Sequence, residues 1–134
     1  MKKTIILISI LLCSSLFAKD YTQAQRITDM GKMAEGLSLI QKGFLYRCTS
    51  GKCFDKGGDL ILGVVKTLET QEMKDFLPTQ EKYAYKFGEK SARMIELYVD
   101  DLKESVKNNN MQDALEDYNQ ILRQCTSCHI RLRK

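Results

Sequence analysis

The sequence predicts an all-α protein, an antiparallel up-down-up-down bundle of four helices. Three observations predict this fold class. Proline occurs once in 134 residues, at Pro78. The chain beyond its N-terminal apolar segment is rich in Leu, Lys, Glu, Gln, Met and Ala, which favour helices. Apolar residues recur at steps of three and four, and no strand-like alternation lasts more than a few positions.

The first two helices are predicted over residues 21–46 and 59–76. Turn-forming Ser50-Gly51 and Gly57-Gly58 separate them, Asp59 is a suitable N-cap, and Pro78 ends the second helix. The inward stripe of the first helix is predicted to contain Ile27, Met30, Ala34, Leu37, Gln41 and Phe44, flanked by Met33 and Ile40.

The third and fourth helices are predicted over residues 79–107 and from Asn110 to the end of the chain. Asn108-Asn109-Asn110 separates them, and Asn110 can cap the fourth, with Asp113 near the positive end of its dipole. The third stripe contains Phe87, Met94, Leu97, Tyr98 and Leu102. The fourth contains Leu115, Tyr118, Leu122, Cys125, His129 and Leu132. In such a bundle the start of the first helix lies beside the end of the fourth.

The last helix ends in the most informative motif of the sequence, Cys125-Thr126-Ser127-Cys128-His129. Its C-x-x-C-H spacing matches the attachment site of a covalent c-type haem. Each thiol adds to one vinyl group, and the adjacent imidazole binds the iron. Residues three and four apart share one helix face, so the three groups can meet one porphyrin. His129 is the only histidine in the chain.

With this motif at the end of a four-helix chain, the sequence resembles the class II c-type cytochromes, the cytochrome c′ family. The resemblance implies an exported monohaem protein with its haem in the bundle core, near the C-terminus of the last helix. In the family an aromatic and then a basic residue often follow the histidine. Here Arg133 matches the basic residue, whereas Leu132 replaces the aromatic one.

The resemblance also implies two alternative functions, which depend on the sixth iron ligand. Members with a methionine ligand on the first helix carry single electrons between redox proteins. Members with an open distal face bind NO or CO. Met30 resembles the ligand methionine, which would raise the haem potential, and Met33 is the alternative residue. The expected protein is therefore an electron carrier, not an enzyme, with gas binding as the alternative. Whether it forms a homodimer is left open.

The remaining cysteines, Cys48 and Cys53, enclose a short segment and are candidates for a disulfide. A four-cysteine zinc site that adds Cys125 and Cys128 is the other interpretation. It would leave His129 without a role and place C-x-x-C within a helix. We therefore expect covalent haem c rather than zinc.

Residues 1–18 are predicted to be a secretory signal peptide, which leaves one domain over 19–134. Lys2 and Lys3 precede the short apolar run 4–12, and Ala18 is the expected cleavage position. No later segment is expected to span a membrane, so the mature protein is predicted to be periplasmic. The formal net charge is +4, of which Lys2 and Lys3 supply two units. No basic stripe with interleaved aromatics indicates nucleic-acid binding.

Overall fold

A computed structural model describes residues 21–46, 48, 51–70 and 82–132. They form four helices: α1 (Gln23–Tyr46), α2 (Lys52–Thr70), α3 (Lys82–Lys107) and α4 (Met111–Leu132). None of the described residues lies in a β-strand. The prediction of an all-helical protein with four helices is therefore confirmed. The predicted signal peptide, Pro78, Arg133 and residues 71–76 and 79–81 of the predicted helices lie outside the described residues.

Local hydrogen bonds explain where α1 and α4 begin. The Thr22 hydroxyl accepts from the backbone N–H of Gln25 at 3.2 Å, and the Gln25 side chain accepts from the N–H of Thr22 at 2.7 Å. This reciprocal pair is a capping box. The Asn110 side chain accepts from the N–H of Asp113 at 3.3 Å, so the predicted cap of the fourth helix is confirmed.

The three asparagines end α3 as predicted. Asn109 has a φ of 55°, in the left-handed region that asparagine tolerates. The N–H of Asn110 then donates to the carbonyl of Ser105, and that of Asn109 to the carbonyl of Val106. These are the two bonds of a Schellman motif, which satisfies the last carbonyls of the helix.

The predicted start of the second helix is wrong, because α2 begins seven residues earlier, at Lys52. Gly57 and Gly58 lie inside the helix, and Asp59 is not its cap. Gly57 packs so closely on α1 that a Cβ there would lie 2.6 Å from the carbonyl oxygen of Gly36. The glycines therefore permit a close helix crossing instead of forming a turn.

The buried face of α1 also differs from the predicted stripe. Ile27 is 66% exposed, and Ala34 and Gln41 are exposed as well. The buried residues of the helix are Asp29, Met33, Gly36, Ile40 and Gly43. Two of these are glycines and one is an acid. A prediction based on hydrophobicity therefore missed them and assigned the buried face to a neighbouring side of the helix. Leu97 and Leu115, also predicted to point inward, are largely exposed.

The core lies between consecutive helices. α1 packs on α2, α2 on α3 and α3 on α4. Its fully buried large side chains are Ile40, Ile61, Val64, Val65, Val99, Leu102 and Ile121. At one end of the molecule Phe44 stacks edge-on against Phe54, with ring centroids 4.9 Å apart. Phe44 also contacts the ring of Tyr118 at 5.7 Å, which brings α1 to α4.

Candidate functional site

The C-x-x-C-H motif occupies the last two turns of α4. Cys125 and Cys128 are half-buried free thiols, and Cys125 packs against the core. His129 is exposed, although the inward stripe of the fourth helix was predicted to include it. The helix turns about 100° per residue, so His129 lies about 40° from Cys125 on one side and Cys128 about 60° away on the other. The three groups share one face of α4.

Helix α3 covers the side of the motif on which Cys128 lies. The Ser91 side chain, which is buried, hydrogen-bonds to Cys128. One turn further, the guanidinium of Arg131 lies 4.8 Å from the centre of the Phe87 ring. This distance permits a cation–π interaction. The first turns of α3 thus fix the end of α4.

Both thiols are held in their protonated form. Burial, with a smaller effect from Cys128, raises the pKa of Cys125 to about 11. Burial also raises the pKa of Cys128, although the hydrogen bond with Ser91 acts in the opposite direction. Because the thiolate is the reactive form of cysteine, both thiols react slowly in the folded protein at neutral pH.

Helix α1 contacts α4 through Leu37 and Phe44, which are seven residues apart. Phe44 contacts the Tyr118 ring, and the Tyr118 hydroxyl donates to the carbonyl of Leu37 at 3.5 Å. Met30 lies seven residues before Leu37 and therefore continues this face of α1. Met30 is half-buried, whereas Met33 is 7% exposed and belongs to the core. Around the helix Met30 lies about 20° from Leu37 and Met33 about 40°, so Met30 is the nearer of the two to the centre of this face.

An antiparallel arrangement of α1 and α4 would bring Met30 to the level of the motif. Cys125 lies seven residues after Tyr118, as Met30 lies seven before Leu37, so each is about 10 Å along its helix from the Leu37–Tyr118 contact. The backbones of α1 and α4 stand further apart than those of the consecutive helix pairs. Two thiols and an imidazole on α4, with a thioether on α1, are the kinds of side chain that could hold a haem c.

A buried polar cluster at the start of α1 was not predicted from the sequence. The Tyr21 hydroxyl donates to Asp29 at 2.6 Å, and Lys32 pairs with the other carboxylate oxygen at 2.8 Å. Burial acts to raise the pKa of Asp29, but the hydrogen bonds from Lys32 and Tyr21 outweigh it and the pKa is lowered. The cluster ties residues before α1 to the helix next to Met30.

Cys48 and Cys53 form a disulfide in the structure, with Cα atoms 5.7 Å apart. This disulfide lies at the other end of the molecule, because the adjacent Gly51 packs against Val106, whereas Cys128 bonds Ser91. Ser91 and Val106 are about 22 Å apart along α3. The four cysteines therefore do not meet, and the zinc interpretation fails on geometry. Within the described ranges, no three His, Cys, Asp or Glu side chains converge on a metal position.

Comparisons with known proteins identify no relative. No family model, curated protein or solved structure matches the chain. Of the helices that the structure describes, none is both long and apolar enough to cross a membrane.

Proposed function

We propose that this protein is a periplasmic monohaem c-type cytochrome that carries single electrons between redox proteins. The observation that carries the proposal is the C-x-x-C-H motif, with two unbridged, half-buried thiols on one face of α4. Export through residues 1–18 is part of the proposal, since haem c and the Cys48–Cys53 disulfide both belong to an oxidising compartment.

The proposal includes the up-down-up-down connection of the helices. Three contacts support it. The end of α1 meets the start of α2 at Gly43 and Phe54, and the end of α3 lies against the start of α2 at Val106 and Gly51. The end of α4 meets the start of α3 at the Arg131–Phe87 contact. Each pair fits antiparallel neighbours, which would set the start of α1 beside the end of α4.

In this proposal the residues of the motif attach and orient the cofactor. Cys125 and Cys128 form the two thioethers, and His129 donates its imidazole to the iron. Haem supplies a one-electron Fe(III)/Fe(II) couple when bound. Met30 would supply its thioether sulfur to the iron from α1, and methionine ligation would favour the reduced state. Ser91 holds the Cys128 side of the motif, and the Phe87–Arg131 contact fixes the helix end.

Covalent attachment gives the first test. The haem should remain with the polypeptide after acid-acetone extraction, because thioether bonds survive denaturation. The double variant Cys125→Ala/Cys128→Ala should release it. Cys48→Ala/Cys53→Ala is the matched control, since it removes the same number of cysteines at the other end of the molecule and should retain the haem. Extraction of haem from the unaltered protein would overturn the c-type assignment.

The sixth ligand separates electron transfer from the alternative of NO or CO binding. Met30→Ala should convert a low-spin spectrum to high spin, lower the reduction potential and speed CO binding. Met33→Ala should leave the spectrum unchanged but lower the free energy of unfolding by about 2–3 kcal/mol, because Met33 is buried in the core. A high-spin spectrum before any substitution would make gas binding the better proposal.

A further inference from the structure

We propose that the end of the bundle carrying Cys125–His129 is a docking surface for an acidic redox protein. This inference rests on the proposed electron-carrier function. It names the chemistry of the partner and the surface that receives it. The surface, hereafter the basic end, consists of Lys86, Lys90 and Arg93 on α3 with Arg123 and Arg131 on α4.

The charges of α3 differ between its two halves: residues 82–93 include four basic residues and one acid (Glu89), whereas residues 96–107 include four acids and two lysines (Lys103 and Lys107). Lys86, Lys90 and Arg93 follow each other at steps of four and three, and all are exposed. The same face continues through exposed Leu97 to an acidic block, Asp100, Asp101 and Glu104. The basic block flanks Phe87 and Ser91, which contact α4 at Arg131 and Cys128. The positive charges therefore lie level with the haem motif.

Helix α4 also separates acidic from basic residues, but here the acidic residues come first along the chain and the basic residues second. Asp113, Glu116 and Asp117 lie in its first half, and no acidic residue follows Asp117 in the sequence. Arg123 and Arg131 lie in its second half, beside the basic block of α3. Counted over α3 and α4, the net charge is therefore positive at the motif end and negative at the other end, where exposed Lys42, Lys52 and Lys56 of α1 and α2 offset part of the acidic charge.

The helix macrodipole explains this order in α4 but not in α3. Acidic residues stabilise a helix near its N-terminus and basic residues near its C-terminus, by roughly 0.3–1 kcal/mol each. In α4 the charges follow this preference. In α3 the basic block lies in the N-terminal half and the acidic block in the C-terminal half, against it. A function outside the helix therefore accounts better for the α3 charges than helix stability does.

Charge separation of this kind orients a partner during diffusion. A negatively charged protein is drawn to the basic end and repelled from the acidic end, which increases productive encounters at low salt. Ile130, 75% exposed beside His129, supplies an apolar contact within a charged rim. A protein partner fits better than an anionic membrane, because a membrane surface neither donates nor accepts the electron.

The transfer itself is a single-electron exchange. The bound haem would supply the one-electron couple that accepts an electron from the reduced partner, and no proton or covalent bond would need to move. The basic end acts before this step, by raising the rate of encounter. The contribution of the basic end to the encounter rate should therefore depend on ionic strength. Substitutions in the basic end should leave the spectrum and reduction potential of the haem unchanged.

Stopped-flow reduction of the mature holoprotein tests the inference. The probe is an acidic [2Fe–2S] ferredoxin, a low-potential one-electron donor. Lys86→Glu/Lys90→Glu/Arg93→Glu should slow the second-order rate about tenfold at 10 mM ionic strength, and the difference should disappear near 0.5 M. The variant should fold, because the three glutamates would lie in the N-terminal half of α3, where the helix dipole favours negative charge.

The matched control is Lys42→Glu/Lys52→Glu/Lys56→Glu. It changes the net charge equally, but its residues are exposed at the other end of the molecule. It should slow the reaction by less than about threefold, because screening weakens distant charges. Equal slowing by the two variants would show an effect of net charge alone and overturn the inference.

Two further outcomes would also overturn the assignment to an acidic protein. One is binding to phosphatidylglycerol vesicles at 0.15 M salt that the α3 variant abolishes, since the basic end would then bind membranes. The other is salt-dependent self-association through the opposite ends of two copies, seen by sedimentation. Absence of covalent haem would instead refute the proposed function and leave the charge separation unexplained.

Discussion

Two alanine substitutions in α2 test the close crossing of α1 and α2. At Gly57 a new Cβ would lie 2.6 Å from the carbonyl oxygen of Gly36, 2.8 Å from Cγ1 of Ile40 and 3.2 Å from its backbone nitrogen. Two of these atoms are backbone, so no change of rotamer relieves the overlap. At Gly63 nothing lies within 4 Å of the added Cβ. The two sites therefore share a helix but differ in packing.

The expected magnitudes have opposite signs. Replacing a mid-helix glycine by alanine stabilises a helix by about 1 kcal/mol, which is the full effect expected at Gly63. At Gly57 an overpacking cost of about 2–3 kcal/mol outweighs that gain, for a net loss of about 1–2 kcal/mol. With about 4–8 °C per kcal/mol in a domain of this size, Gly63→Ala should raise the Tm and Gly57→Ala should lower it.

Thermal and urea unfolding, followed by circular dichroism at 222 nm, measure both effects. Gly58→Ala extends the series to the α2–α3 crossing, where the nearest atoms are side-chain carbons of Val99 and Lys103 at 3.1 Å. Its net effect should lie between the other two. Equal stabilisation by Gly57→Ala and Gly63→Ala would refute the close crossing and favour the turn that the sequence suggested at Gly57-Gly58.

Three further predictions concern the other described groups. Alkylation of the non-reduced protein should leave Cys48 and Cys53 unmodified by mass spectrometry, whereas labelling of either would exclude their disulfide. Tyr21→Phe should lower the free energy of unfolding by about 1–2 kcal/mol in urea, because Asp29 loses a buried hydrogen-bond donor; an unchanged midpoint would contradict this. Asp117→Asn should stabilise the protein by about 0.5 kcal/mol at pH 7, since burial and then Asp101 raise the pKa of Asp117 above its usual 3.8 and ionisation therefore costs stability. The gain should vanish below about pH 3.8, where the carboxyl is protonated in both states, and a gain that persists there would point to another cause.

The sequence predicted the four helices because its helix-forming composition and its asparagine break act locally. Capping by Asn110 and termination of α3 at Lys107 depend on a few adjacent residues, and both are found in the structure. Which face of α1 is buried could not be predicted in the same way. Its apolar side chains are distributed around much of the helix, so the buried face was decided by contact with α2 rather than by hydrophobicity.

Glycines account for much of the difference between the predicted and observed buried face of α1 and start of α2. Gly36, Gly43 and Gly57 are buried because they let two backbones approach, and a hydrophobic stripe does not register such residues. Counting glycines at steps of three and four as buried positions would have moved the predicted face of α1 towards Met33 and Ile40. The same correction would have extended α2 through Gly57-Gly58.

The candidate site was predicted in its motif but not in its surroundings. Cys125, Cys128 and His129 could be proposed as a site from spacing alone, because haem c attachment requires this order of residues along the chain. Ser91 and Phe87 could not, since no local pattern marks a serine or a phenylalanine that contacts a helix 37 or more residues away in sequence. Tyr21 and Asp29 could not be paired either, because Tyr21 precedes α1 and no local pattern links it to an acid eight residues later.

The separation of the two cysteine pairs has a consequence for how the chain matures. If the chain is exported from its N-terminus, Cys48 and Cys53 reach the oxidising compartment well before the second pair. They close a ring of only a few residues, so each is the other's nearest thiol even in the unfolded chain. Oxidation of the first pair can therefore be complete while Cys125 and Cys128 are still emerging. The later pair then enters a chain that offers it no foreign thiol, so disulfides between the two ends of the molecule are avoided.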